Sequence, residues 1–246
     1  MAIDYSQIEL RVLAHDANEE VLIEAFNEGR DIHSTTASLI SDMSYEQINS
    51  EKDIEGSEAM KARDKAKTVN FGIVYGMGAT SLADNIGSTV EEAEEIIADY
   101  FKGYPGIETY MDMKRREAEY KGYVTDMFGR VRSFRRAMKS RSRGVRGQAL
   151  RSAGNFPIQS GAGVILKLAI RELKPVLEKH GVHILLQVHD ELVFECPKDI
   201  SYEAVSEIKS VMENVVELKV PLIADVDIYP ERWAEKVDLE EWFDLK

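Results

Sequence analysis

Apolar residues in this chain recur mostly at the three- and four-residue steps of a helix, with a few short unbroken apolar runs that predict strands. The first residues predict a short strand, closed by Asp4. Glu20 to Glu28 predicts a helix stopped by Gly29, and Tyr45 to Gly56, polar and poorly periodic, a loop or short helix. Ala59 to Tyr75 is a strong helical stretch ending at Gly76. Ser88 and Thr89 each have a glutamate three residues on (Glu91 and Glu92), two capping-box frames ahead of a helix with an apolar face of Val90, Ala93, Ile97 and Phe101. Gly103 and Pro105 end it, and a second helix runs to Tyr120 and stops at Gly122. Lys139 to Gly147, rich in Arg, Ser and Gly, predicts a loop. A long helix is expected from near Asn155 towards His180, kinked or broken by Pro175, which removes a backbone donor and crowds the preceding turn. Ile184 to Val188 and Leu192 to Phe194, separated by His189, Asp190 and Glu191, predict a hairpin of buried strands. Ser201 to Leu218 predicts a helix and Val220 to Ile228 a last strand. Helices with a small antiparallel sheet make the expected fold class α+β.

Composition narrows the picture. With 44% hydrophobic and 30% charged residues the chain is globular, neither disordered nor fibrous. No apolar run approaches the ~18 residues a membrane span needs, and no signal peptide is visible, so no membrane partner is expected and a reducing, cytoplasmic setting is. A single cysteine, Cys196, excludes an intrachain disulfide framework and a multi-cysteine zinc site. The net charge of −13 speaks against nucleic acid until its distribution is read. From Lys114 to Arg151 there are 13 Lys and Arg against 3 Asp and Glu, a local +10 that leaves −23 for the rest. Such a tract is a local field suited to phosphates.

Three constellations carry chemistry. Asp190 and Glu191 sit at the hairpin tip, in a turn with no Gly or Asn to relax it. Asp4 follows a short apolar lead. If that strand pairs with the hairpin, Asp4 and Asp190 converge across 186 residues, and two carboxylates suit two Mg²⁺ ions in an in-line phosphoryl transfer. Arg63, Lys67, Phe71 and Tyr75 recur at steps of four, one slowly curling helical stripe with two cations for phosphate oxygens and two rings for a sugar and a base. Taken singly, these features have ordinary readings: a surface acid, a solvated turn and an amphipathic edge.

Taken together they resemble family A DNA polymerases, the bacterial DNA polymerase I type. D-Y-S-Q-I-E-L-R from Asp4 is similar to motif A, R-D-K-A-K-T-V-N-F-G-I-V-Y-G from Arg63 to motif B, and Q-V-H-D-E from Gln187 to motif C. D-I-H at Asp31 to His33 and R-S-A-G-N-F-P-I-Q from Arg151 to Gln159 also match, and the resemblance spans residue 3 to about 233. It implies a palm in two parts, 1–30 and 121–246, with the motif C hairpin at about 183–195. Between them it implies fingers over 31–120, with the motif B helix at about 59–76. It implies primer-template DNA and deoxynucleoside triphosphates as partners, and two Mg²⁺, with Mn²⁺ as a substitute.

Residue by residue, the resemblance implies Asp4 and Asp190 as metal ligands with the Tyr5 carbonyl, and Glu191 beside them as a third catalytic acid. Glu9 would be the gate against a ribose 2′-hydroxyl. His33, Arg63 and Lys67 would hold the triphosphate, Phe71 the deoxyribose, and Tyr75 the region of the templating base. Arg151, Asn155 and Gln159 would touch the duplex near the primer end, and His189 the primer terminus. The basic tract would contact the DNA backbone.

Two departures stand out. After Gln159 the family usually has Gly-Ser/Thr-Ala-Ala-Asp, whereas this chain has Ser160-Gly161-Ala162-Gly163-Val164 and lacks the acid, a change expected in helix packing. Motif A starts at residue 4, so the thumb, earlier palm strands and exonuclease are not in this sequence. A strand with three lead residues is also a poor edge for a catalytic sheet, and either a second polypeptide is expected to supply the thumb and remaining palm or the chain is a piece excised from a longer polymerase. Alternatives are a non-catalytic half-polymerase that binds nucleic acid or a partner, and a single-subunit RNA polymerase. Glu9 and the acid after the motif C aspartate favour DNA.

Overall fold

A computed structural model of the chain describes residues 1–232 and 234–244. In order, its elements are β1 (Ala2–Tyr5), α1 (Ile8–Ala17), α2 (Glu20–Asn27), α3 (Ile32–Leu39), α4 (Tyr45–Glu51), α5 (Glu58–Val74), α6 (Ala79–Ile86), α7 (Val90–Gly103), α8 (Pro105–Tyr120), β2 (Tyr123–Thr125), β3 (Val131–Ser133), α9 (Arg135–Met138), α10 (Arg143–His180), β4 (His183–Val188), β5 (Glu191–Glu195), α11 (Tyr202–Glu213), β6 (Ala224–Ile228), β7 (Val237–Asp238) and α12 (Leu239–Asp244). The fold class is α+β, as the sequence predicts. The chain packs as two compact units. One is Glu9–Gly161, and the other is Met1–Ile8 with Ala162 onward, so α10 contributes to both.

The second unit is built on an antiparallel sheet ordered β4-β5-β1-β6-β7 among the described residues. β1 is therefore the middle strand and not an edge: it pairs with β5 on one side and β6 on the other. Alternation along the strands sorts the side chains. Ile3, Tyr5, Leu192, Phe194, Val226 and Ile228 share one face and are all buried. The Tyr5 hydroxyl donates to the Met212 carbonyl at 2.7 Å, tying that face to α11. The other face carries Asp4, Glu191, Asp225 and Asp227.

The Glu9–Gly161 unit is mainly helical. α5 is capped by Ser57, whose hydroxyl accepts the Met60 N–H at 3.0 Å, and buries Ala59, Ala66, Val69, Asn70 and Ile73. Of the two capping-box frames only Thr89 with Glu92 forms. The buried face of α7 is Ala93, Ile96 and Tyr100, one step away from the predicted stripe, and Val90 is exposed. Asp126 anchors the turn between β2 and β3, accepting from the Phe128 and Arg130 backbone and from the Ser160 hydroxyl. Ser160 thus has a structural partner where the family pattern departs. At Gly161 an added Cβ would lie 3.1 Å from Val12, a close approach that favours glycine.

Several boundaries differ from the sequence expectation. α10 begins at Arg143, within the predicted loop, and runs on through Pro175. A proline in a helix interior costs about 3 kcal/mol. Its neighbours Leu173, Val176 and Leu177 are buried, and burial worth roughly 1.5–3 kcal/mol for each outweighs that cost. α11 ends at Glu213, short of Leu218. The last predicted strand starts at Ala224, after Pro221, whose missing N–H cannot join a ladder. Tyr45–Glu51 is the short helix of the two options left open.

Candidate active site

The acids converge through strand register. Asp4 lies opposite Glu191 on β5 and opposite Asp225 on β6. The Tyr5 N–H donates to the Asp190 carbonyl at 3.4 Å, so the hairpin tip sits beside the end of β1. The tip is a two-residue turn closed by the Val188–Glu191 pair, with His189 at φ +55°. A positive φ at the first turn position matches a type II′ hairpin, where glycine is usual. His189 is held there at a steric cost and its side chain is exposed.

Like charges crowd this face. Burial, then Asp190, Glu191, Asp225 and Asp227, push the Asp4 carboxyl up to about 6. Glu191 is also raised, by burial and then by Asp227 and Asp190, against a lowering effect of Lys236. Asp4 Oδ1 and Glu191 Oε1 are buried without a hydrogen-bond partner. Buried carboxylate oxygens without donors are costly, and a bound cation would satisfy them. Among the described residues no group of three His, Cys, Asp or Glu closes into a metal cage. Carboxylate oxygens of this kind suit a hard cation that completes its shell with phosphate oxygens and water. Sequence reasoning missed Asp225 and Asp227. The alternation Ala-Asp-Val-Asp-Ile over 224–228 signals a two-faced strand, but only the register with β1 sets its acids beside Asp4.

The predicted stripe lies on α5 and its C-cap. Lys67 and Tyr75 are exposed, and Arg63 and Phe71 are half-buried. Arg63 is clamped by Asp31, with Nε 3.1 Å from Oδ1 and Nη2 2.7 Å from Oδ2. The same carboxylate caps α3 by accepting the Ser34 N–H at 2.7 Å. Burial alone would raise the Asp31 carboxyl, but Arg63 and the Ser34 amide outweigh it and hold the group at about 2. His33 follows on α3, 3% exposed, with its ring centroid 5.9 Å from that of Phe71. Burial, aided by Arg63 and Lys67 and opposed by Asp31 and Asp64, lowers the His33 imidazole to about 4 and leaves it neutral at pH 7. Glu9 is half-buried in the first turn of α1.

The residues matched to DNA contacts divide. Arg151 and Gln159 are exposed on α10. Asn155 is buried and its amide donates to the Val74 carbonyl at 3.0 Å, capping the end of α5. Gly76, at φ +71°, lies where an added Cβ would meet Arg151 at 2.8 Å, so both backbone and space require glycine there. The cations from Arg130 to Arg151 are all exposed, and none of them forms an ion pair among the described residues.

The sequence matches DNA polymerase family A over residues 1–235, and the chain belongs to that family. It is 42% identical over 228 residues to the thermostable DNA polymerase I of Thermus filiformis, covering 93% of this chain and 26% of that protein. It is 45% identical over 229 residues to DNA polymerase I of Streptococcus pneumoniae (strain TIGR4), covering 92% and 25%. The chain thus spans about a quarter of the length of these curated relatives. Among solved structures it is similar to the POL domain of Pol1 from M. smegmatis, in a complex with DNA primer-template and dNTP. There the TM-score is 0.80 and the identity 34%, covering 91% of this chain and 38% of that one. No described helix is long and apolar enough to cross a membrane.

Proposed function

We propose that this chain is the fingers and catalytic palm portion of a template-directed DNA polymerase. It would add deoxynucleotides to a primer 3′-hydroxyl and release pyrophosphate, with a second polypeptide or segment supplying thumb and remaining palm. The observation that carries this reading is the meeting of Asp4, the Asp190 backbone and Glu191 at one end of the sheet, with two carboxylate oxygens buried and unpartnered. Asp4 and Asp190, with the Tyr5 carbonyl, would hold two Mg²⁺ ions, and Glu191 would stand beside them. When bound, such ions supply charge stabilisation to the attacking and leaving oxygens.

The chain's own residues account for binding and orientation. Lys67 and Arg63 offer cationic donors to triphosphate oxygens, and Asp31 fixes the direction of the Arg63 fork. His33, neutral, adds a donor without a charge. The Phe71 ring would lie against the sugar and Tyr75 near the templating base, while Glu9 would exclude a 2′-hydroxyl by size. The unpaired cations from Arg130 to Arg151 suit a phosphate backbone, with Arg151, Gln159 and His189 nearest the primer end. Asn155 would act there through the α5 end that it caps.

Primer extension by the chain, alone and with the remaining part of a full-length relative, tests the proposal. Template-dependent extension that rises on complementation and disappears in Asp4→Asn supports it. Equal incorporation by Asp4→Asn refutes it.

A further inference from the structure

Behind the stripe of α5 lies a chain of buried polar groups, of which the reading above uses only His33. Tyr104, Thr36, Asn70 and His33 are 0%, 0%, 1% and 3% exposed. The Tyr104 hydroxyl lies 2.9 Å from Thr36 Oγ1, Thr36 Oγ1 donates to Asn70 Oδ1 at 3.0 Å, and Asn70 Nδ2 lies 3.1 Å from His33 Nδ1. Burial raises the Tyr104 hydroxyl, so it keeps its proton and can donate to Thr36. Thr36 Oγ1 also lies 3.0 Å from the Ile32 carbonyl, so its single proton has two acceptors in reach, and its bond to Asn70 is what turns the amide oxygen towards Thr36. The other end of the amide is an NH₂ group, which only donates. With Nδ2 facing it, Nδ1 of His33 accepts.

A neutral imidazole whose Nδ1 accepts carries its proton on Nε2. That distinction decides the sign of any contact with phosphate, whose oxygens only accept. In the Nε2–H form the ring attracts a triphosphate, and in the Nδ1–H form it presents a lone pair and repels it. The environment keeps the ring from escaping this choice by taking a second proton, since burial, with Arg63 and Lys67 nearby, outweighs the pull of Asp31 and Asp64. Among the described residues no protein group bonds Nε2.

We propose that Asn70 is a positioning residue for the incoming nucleotide: by occupying the Nδ1 lone pair it locks His33 in the Nε2–H tautomer and makes it a neutral donor to triphosphate oxygens. The inference rests on the reading of His33 as a triphosphate contact, and its first half can be tested without that reading.

The test is ¹⁵N-histidine NMR on the full chain, with His33 assigned among the five histidines by His33→Gln. The expected spectrum between pH 6 and 8 shows a protonated Nε2 and an unprotonated Nδ1. Asn70→Ala should yield a mixture of tautomers and weaken dATP binding, measured with Mg²⁺ by titration, by about tenfold, the worth of one hydrogen bond to a charged acceptor. Thr36→Val keeps the shape of the site and removes the group that orients the amide. It should shift the tautomer ratio in the same direction, and it serves if Asn70→Ala does not fold. A wild-type Nδ1–H tautomer overturns the proposal, as does an unchanged tautomer and dATP affinity in both variants. An Nε2–H tautomer with a His33 signal that saturating dATP leaves unmoved supports the lock and overturns only the placement of His33 on the triphosphate.

Discussion

Replacing Asp31 by asparagine isolates the electrostatic joint between α3 and α5. The substitution keeps an oxygen to accept the Ser34 N–H but removes the charge that Arg63 Nε and Nη2 grip at 3.1 and 2.7 Å and that Lys52 approaches at 3.7 Å. The folded carboxyl sits at about 2 against an ordinary value of 3.8. At about 1.4 kcal/mol per unit that gap is worth roughly 2.4 kcal/mol, and partial solvent screening of the pair reduces it to about 1–2 kcal/mol. The folded value lies below the unfolded one, so this stability is complete above about pH 5 and is lost as pH falls towards 2. Urea unfolding followed by far-UV circular dichroism reads the Glu9–Gly161 unit, which holds most of the helices. The stability difference between the parent and Asp31→Asn is expected at about 1–2 kcal/mol at pH 7, falling to roughly half by pH 3. A difference that is the same at pH 7 and pH 3 would show that the Asp31 charge is not what joins the two helices.

Three further outcomes follow from the sites. Millimolar Mg²⁺ or Mn²⁺ should raise the melting temperature of the parent by several degrees and of Asp4→Asn or Asp190→Asn by much less, read by scanning calorimetry; equal gains in all three would remove the carboxylate face as the cation site. Phe71→Tyr should lower discrimination against dideoxynucleotides by about one to two decades in a competition on primed template, because a phenol hydroxyl can replace the contact of the missing 3′-hydroxyl; equal ratios would move Phe71 away from the sugar. Glu9→Ala should admit ribonucleotides, and a variant as selective as the parent would dismiss Glu9 as the gate.

The legible part of this protein was the part written in short range. The α5 stripe follows from steps of four, and the hairpin from two apolar runs around a polar tip. What escaped was set by partners distant in sequence. α3 carries Ser34, Thr35 and Thr36, poor helix formers with no apolar period, and it is held by Asp31 at its start and by Asn70 and Tyr104 at its side. Asn70 lies one position from Phe71 and reads as an ordinary polar residue until α3 packs against it. Asp225 and Asp227 gain their neighbours only from the register of β6 on β1. The true start of α10 was obscured by Gly144 and Gly147, residues of low helix propensity in a mostly exposed first stretch of the helix.

The backbone of His189 has a consequence for anyone who selects variants of this protein for heat resistance. A left-handed turn position filled by histidine costs on the order of 1 kcal/mol that glycine would recover. A screen scored on survival alone will therefore tend to recover His189→Gly, a variant with a more relaxed turn and no imidazole beside the acids. Such a screen would enrich stable proteins that lack the imidazole proposed to meet the primer terminus, so selection at this position has to score nucleotide incorporation together with melting.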